Sequence, residues 1–290
     1  MAITAADVKK LRDQTGAGMM DCKAALEEAN GNFEEANTIL RKKGLASAAK
    51  KAGRATSEGL IGNAVSADNT SGVLVEVNCE SDFVARTDDF QQLIKNVIAE
   101  INKKGDAANA EWLQDPNGPV HPLVAAAIGK LGENMAVPRF VRYAGQGYVG
   151  QYIHLGGKLG VQVEFSGVTP EVASKDEFTA LVKEIAMQIA AASPSYASRG
   201  EVPADVLEKE KAIYRGQMEG SGKPANVIEK IVDGKLGSFY AQVVLVDQPS
   251  IRDPKLSVAD VITAANKSLG ASIGVTRFAR LKVGEGAAQA

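Results

Sequence analysis

Residues 59–78, GLIGNAVSADNTSGVLVEVN, return 88 positions later as residues 147–166, GYVGQYIHLGGKLGVQVEFS, aligned without a gap. Gly59, Gly62, Gly72, Val73, Val75 and Glu76 stand opposite Gly147, Gly150, Gly160, Val161, Val163 and Glu164. In each copy, alternating apolar runs flank a turn containing Gly, Asn or Lys, which predicts a β-hairpin. Each hairpin leads to an amphipathic helix. Phe90, Leu93, Ile94, Val97, Ile98 and Ile101 mark one face of the first, and Phe178, Leu181, Val182, Ile185 and Ile189 one face of the second. The repeat predicts an α+β fold of two related halves, each a small antiparallel sheet backed by helices.

Outside the repeat, residues 1–45 read as a module of three short helices. Thr4 with Asp7 forms a capping-box pattern, Gly31 and Gly44 are expected helix stops, and Phe33, Ala36, Ile39 and Leu40 form an apolar stripe. The small, polar and basic run LASAAKKAGRATSE makes residues 46–58 an expected linker. The first core half then spans 59–145, and the second spans 146–197 with 241–290. Residues 198–240 read as an inserted antiparallel helical hairpin. One helix runs through Val206, Leu207 and Tyr214, the turn lies at 220–224, and the return runs through Val227, Ile228, Ile231, Leu236 and Phe239. Sparse apolar positions suggest that the hairpin projects from the body. A strand at 241–246, a helix at 257–269, a strand through Ile273, Val275 and Phe278, and the small-residue tail GEGAAQA complete the reading.

Composition narrows the function. A chain of 290 residues with 45% apolar content suits two or three compact units with proper cores. The net charge of -2 argues against a broad nucleic-acid-binding surface. Cys22 and Cys79 are far apart with no CxxC, so neither a disulfide framework nor a zinc site is indicated, and both are expected reduced and buried. The amino terminus lacks a signal-peptide core and no apolar run approaches membrane-spanning length, so a cytoplasmic protein is expected.

Few residues offer chemistry. Gly145 to Gly150 satisfies GxGxxG but leads into a strand, whereas a dinucleotide fingerprint opens a helix. GxxxxGK[ST] does not occur. Only His121 and His154 are present, which leaves little material for a histidine-based triad or metal site. His121 precedes Pro122 at an expected helix start, and His154 falls near the tip of the second hairpin, opposite Ser66. Asp88 and Asp89 suit a helix dipole.

Two stretches invite a binding role instead. In VNCESDFVARTDDF, Ser81 is a good N-cap after a strand, followed by Asp82, Phe83 and Val84. Counting back seven from Phe90 reaches Phe83, so Phe83 either extends the core stripe or, if Thr87 starts a fresh turn, is presented to a partner. At the repeat offset Asp82 and Phe83 face Pro170 and Glu171, so the fold alone does not demand the pair. In TGAGMMDC, adjacent Met19 and Met20 cannot both face one core, so one is expected exposed where a flexible thioether suits docking.

LRDQTGAGMMDCKAAL, VEVNCESDFVAR, HLGGKLGVQVEF, GKPANVIEKIVDGKL and VGEG together resemble the bacterial translation elongation factor Ts family, guanine-nucleotide exchange factors of elongation factor Tu, over essentially the whole chain. The resemblance implies a UBA-like three-helix domain, a two-part core and a coiled-coil hairpin. It implies that Ser81, Asp82, Phe83 and Val84 enter the partner's GTPase domain near its magnesium site. Arg12, Met19 and Met20 would contact another helix of that domain, and His154 would touch the partner from the second half. The implied partner is elongation factor Tu, GDP-bound and nucleotide-free. No cofactor, metal, catalytic residue, direct nucleic-acid contact or membrane is expected, and an oligomer of the complex is left open. Ser81 stands where threonine is common in the family. The chain stops soon after Gly286, so a contact through an extra carboxy-terminal helix is not carried over. The other reading is an adaptor using the amino-terminal module on a different partner.

Overall fold

The computed structural model describes residues 3–285 apart from Gln146, Leu155 and Ser221. The end of the small-residue tail, 286–290, and Ser221 in the turn at 220–224 lie outside the described residues. Helix α1 (Ala5–Thr15) opens on the expected capping box, the Asp7 amide donating to Thr4 Oγ1 and the Thr4 amide to Asp7 Oδ2. Helices α2 (Met19–Glu28) and α3 (Phe33–Lys51) follow, and Val8, Leu11, Cys22, Ala25, Leu26 and Ala36 form a small core between the three.

Gly44 does not stop α3, which continues to Lys51 and takes up part of the expected linker. Its physical role is a close helix crossing. A Cβ on Gly44 would stand 3.4 Å from the Ala125 carbonyl oxygen, and one on Gly129 would stand 3.4 Å from the Gly44 Cα.

The first half comprises β1 (Glu58–Val65), β2 (Ser71–Cys79), the short α4 (Asp82–Ala85), α5 (Asp88–Lys104), α6 (Ala110–Gln114), α7 (Val120–Leu131) and β3 (Met135–Ala144). Its antiparallel sheet has the order β1-β2-β3. The second half comprises β4 (Tyr148–Ile153), β5 (Leu159–Ser166), α8 (Pro170–Ala173), α9 (Asp176–Ala192), α10 (Ala204–Gly216), α11 (Ala225–Val243), α12 (Val258–Leu269) and β6 (Gly274–Lys282), with sheet order β4-β5-β6. The fold is therefore α+β.

The repeat extends beyond the hairpins. Gly132 and Gly270 end α7 and α12 in left-handed conformations, and Arg139 and Arg277 occupy matching places on β3 and β6; both pairs stand 138 residues apart. The change of offset from 88 accommodates α10 and α11 in the second half only. Their apolar packing is concentrated at the root, where Val202, Leu236, Phe239 and Val244 are buried, and α10 itself buries no side chain.

Residues 241–246 do not form the expected strand: α11 runs to Val243 and a 3-10 turn follows at Leu245–Asp247. The apolar run is explained by burial at this root, with Val244 and Leu245 fully enclosed. The alternation in β2 is also only half of its pattern, because Gly72 to Cys79 are all buried. Val73, Val75 and Val77 face α5, while Leu74 joins Ile61 and Leu281 in a second apolar cluster.

The two sheets meet through those second faces. The Ile61 amide donates to the Gly157 carbonyl (2.7 Å), and the Val149 amide donates to the Asn69 carbonyl (2.6 Å). Donors and acceptors are both repeat-related, so each edge strand gives one amide to the other half's hairpin turn. Glu76 and Glu164, both buried, are matched by Arg139 and Arg277 through Nε contacts of 2.7 and 2.6 Å. Burial makes these pairings obligatory, since an uncompensated carboxylate there costs several kcal/mol.

Helices approach the outer faces at glycines. A Cβ on Gly62 would lie 2.1 Å from Ile94 Cγ2, and one on Gly150 would lie 2.3 Å from Val182 Cγ1, again related positions. Gly62→Ala and Gly150→Ala are each expected to destabilise the protein by about 1–3 kcal/mol through overpacking. Gly234→Ala in α11, where a Cβ meets nothing within 4 Å, is expected to stabilise it by up to about 1 kcal/mol. Urea unfolding midpoints of the three variants measure both signs.

Candidate functional site

Two N-caps placed back to back create the Ser81–Val84 turn. Ser81 is extended (φ -129°, ψ 154°) and its Oγ accepts from the Val84 amide at 3.4 Å, opening the four-residue α4. Thr87 then caps α5, accepting from the Phe90 amide at 3.3 Å, while its own hydroxyl donates to the Val84 carbonyl at 2.8 Å. The helix is thereby interrupted between Phe83 and Phe90. Phe90 is fully buried whereas Phe83 is 82% exposed, so the reading in which Phe83 extends the core stripe is overturned. Ala85 and the half-buried Val84 anchor the turn to the first core. Asp82 pairs with Arg86 at 2.8 Å on the surface, a contact of little energetic weight.

The turn is gripped from the far side by the segment after α7. Ser81 donates its amide proton to Glu133 Oε2 (2.9 Å) and its hydroxyl proton to Glu133 Oε1 (2.5 Å). One residue earlier, Glu80 Oε1 accepts from the Asn134 amide at 2.6 Å and from Arg54 Nη1 at 3.4 Å. The Asn134 hydrogen bond, with Arg54 adding its charge, holds the Glu80 carboxyl below its ordinary range. The Asn134 side chain in turn donates to the Arg54 carbonyl at 2.8 Å, and the Cys79 thiol to the Ser81 carbonyl at 3.1 Å. Sequence reasoning missed Glu133 and Asn134. The signal that could have found them is the repeat at its second offset, which sets Ala271 and Ser272 in their places.

At the amino-terminal module, both methionines at the start of α2 are exposed, Met19 at 50% and Met20 at 75%, where one was expected. The small core fills with Cys22, Ala25 and Leu26 from that helix and needs neither. Arg12 is exposed on α1. A Cβ on Gly16, just past α1, would stand 2.6 Å from Lys130 Nζ, and that ammonium binds Asp89 Oδ1 at 2.7 Å at the start of α5. One lysine thus spans from the end of α1 at Gly16 to the helix that follows Phe83.

His154 is exposed at the end of β4, its Nδ1 2.9 Å from the Tyr152 hydroxyl and its amide bonded to the Leu159 carbonyl. It belongs to the second hairpin and shares none of these contacts with the Ser81–Val84 turn. Among the described residues there is no group of three His, Cys, Asp or Glu placed to hold a metal ion, and no helix is long and apolar enough to cross a membrane. The arrangement can present an aromatic ring beside a carboxylate on a rigid mount, with a second apolar site of two thioethers.

A family model described as Elongation factor TS matches residues 80–285. The chain is 47% identical to elongation factor Ts of Trichlorobacter lovleyi over 99% of its own length and 94% of the relative's. It is 44% identical to elongation factor Ts of Aquifex aeolicus over 98% and 99%, and 42% identical to that of Lawsonia intracellularis over 98% and 100%.

Burial, with the Glu133 charge adding to it, pushes the Cys79 thiol beneath the turn up to about 11 from 9.0, and burial pushes Tyr143 up to about 12 from 10.0. Both groups keep their protons longer in the native state than in the unfolded chain. The stability they contribute is intact below pH 9 and is lost as pH rises towards 11 and 12. The urea midpoint is expected to fall across that window, and iodoacetamide at a pH of about 8 is expected to label Cys79 only after unfolding.

Proposed function

The chain belongs to the elongation factor Ts family, a family of translation elongation factors, and on that premise we propose that it is a guanine-nucleotide exchange factor for elongation factor Tu. It binds the GDP complex, disturbs the magnesium and phosphate site, and promotes GDP release so that GTP can enter. Phe83 and Asp82 are the wedge directed at that site, with Ser81 and Val84 as its mount. Arg12, Met19 and Met20 form a second contact through a UBA-like module of residues 1–45, and His154 a third from the second core half. No bond is made or broken by the protein in this scheme, so it is not an enzyme, and it works in the cytoplasm where translation proceeds.

The observation that carries the reading is a fully presented Phe83 on a turn whose cap and flanks are all hydrogen-bonded. A large exposed aromatic on a pre-organised turn is a hot-spot anchor, because little ordering remains to be done on binding. Coupling then supplies the mechanism. A protein that binds tightly to the GTPase conformation that holds nucleotide badly must itself be released when nucleotide binds well. Acceleration by a factor of ten thousand corresponds to about 5.5 kcal/mol of differential binding. Burying one Phe supplies about 1.5–3 kcal/mol. The wedge therefore shares the work with the methionine site and the core halves.

Release of fluorescent GDP from elongation factor Tu tests the scheme. Wild type is expected to accelerate release, and Phe83→Ala to reduce that acceleration by about tenfold to a hundredfold. Equal stimulation by both proteins would remove Phe83 from the mechanism. Wild type without stimulation, recovered instead with a different dominant partner insensitive to GDP, would favour an adaptor.

A further inference from the structure

The repeat contains an internal control for the turn that presents Phe83. In the second half Thr169 caps α8 as Ser81 caps α4, accepting from the Val172 amide at 3.3 Å. Val172 is buried where its counterpart Val84 is half-buried, and Glu171 stands where Phe83 does. The fold therefore builds this strand-to-helix junction twice, and it braces the two copies differently.

In the first half, a carboxylate on Glu133 takes both protons that Ser81 offers. In the second, the matching position is Ala271, which has no acceptor to give. That junction is closed by backbone contact instead. Gly167 replaces Cys79, and a Cβ there would stand 2.1 Å from the Ser272 carbonyl oxygen. The carboxylate brace is thus dispensable for the architecture and accompanies only the copy that carries the aromatic.

We infer that Glu133 is a positioning residue for nucleotide exchange, fixing Ser81 and with it the direction in which α4 presents Phe83. Being 82% exposed, Phe83 has almost no packing of its own to hold it, so its direction follows the backbone of α4. That backbone starts at Ser81. A carboxylate gripping the amide and hydroxyl together fixes both the main chain and the rotamer of the cap, and it leaves the hydroxyl lone pair free for the Val84 amide. The inference deepens the exchange reading and rests on it.

A double-mutant cycle on stimulated GDP release separates positioning from general support. Glu133→Ala is expected to lower the stimulated rate about tenfold, the scale of one charge-assisted hydrogen bond. Glu133→Gln, whose single carbonyl oxygen can serve only one of the two donors, is expected to fall between it and wild type; it carries the test if the alanine variant does not fold. In the Phe83→Ala background the effect of either substitution should vanish, because the brace acts only through that ring. A Glu133 effect undiminished in that background would overturn the inference, as would full stimulation by Glu133→Ala. Failure of the wild-type protein to stimulate release is a separate result: it overturns the exchange reading and the positioning role together.

Discussion

The edge strand of a small sheet carries amides that must find acceptors or remain a site for unwanted pairing. Here each half supplies the other with one such acceptor. Ile61 on β1 donates to the turn carbonyl of Gly157, and Val149 on β4 donates to the turn carbonyl of Asn69, so an approximate two-fold axis runs between the sheets. Most other features of the core follow from this clasp. It holds the sheets face to face, which buries β2 and β5 on both sides, and that in turn forces Glu76 and Glu164 into pairs with Arg139 and Arg277. The same clasp leaves the outer faces for α5 and α9, brought so close that glycine is required at Gly62 and Gly150.

A duplicated fold allows one copy of a junction to acquire a task while the other records what the fold itself requires. Helices α4 and α8 occupy equivalent places, each capped by a hydroxyl and each anchored by a valine. Only α4 has an exposed aromatic, a neighbouring carboxylate and the Glu133 grip. An exposed ring of that size gains little from the folded chain alone, and the turn beneath it is held by hydrogen bonds at Glu80 and Ser81.

Much of this was legible in the residues. The glycine and valine spacing of 59–78 and 147–166 predicted the hairpins, the helix stripes beginning at Phe90 and Phe178 were correct residue by residue, and Thr4 with Asp7 marked the first helix start. Misreadings arose where a local signal has two physical uses. Gly44 looked like a helix stop but serves a crossing, and the valines near 244 looked like a strand but fill the root of the hairpin. For Phe83 the residues left two readings open, a heptad position or a fresh turn at Thr87, and the cap at Thr87 decides for the second. The Glu133 grip spans 52 residues of sequence and bears no local mark. Its repeat partner was hidden because the helical hairpin shifts the register between copies.

The crossing of α3 over α7 bears on how the amino-terminal module is tied to the core. Two glycines, Gly44 and Gly129, meet there, and they let the helix backbones approach closely. The amino-terminal module with Met19 and Met20 sits on one side, and α7 leads directly to the Glu133 brace under Phe83 on the other. The crossing therefore joins the module that carries the methionines to the helix that leads to the brace. A methyl group added at either glycine would arrive at 3.4 Å, the near edge of ordinary contact, so the join is close-fitting without being locked.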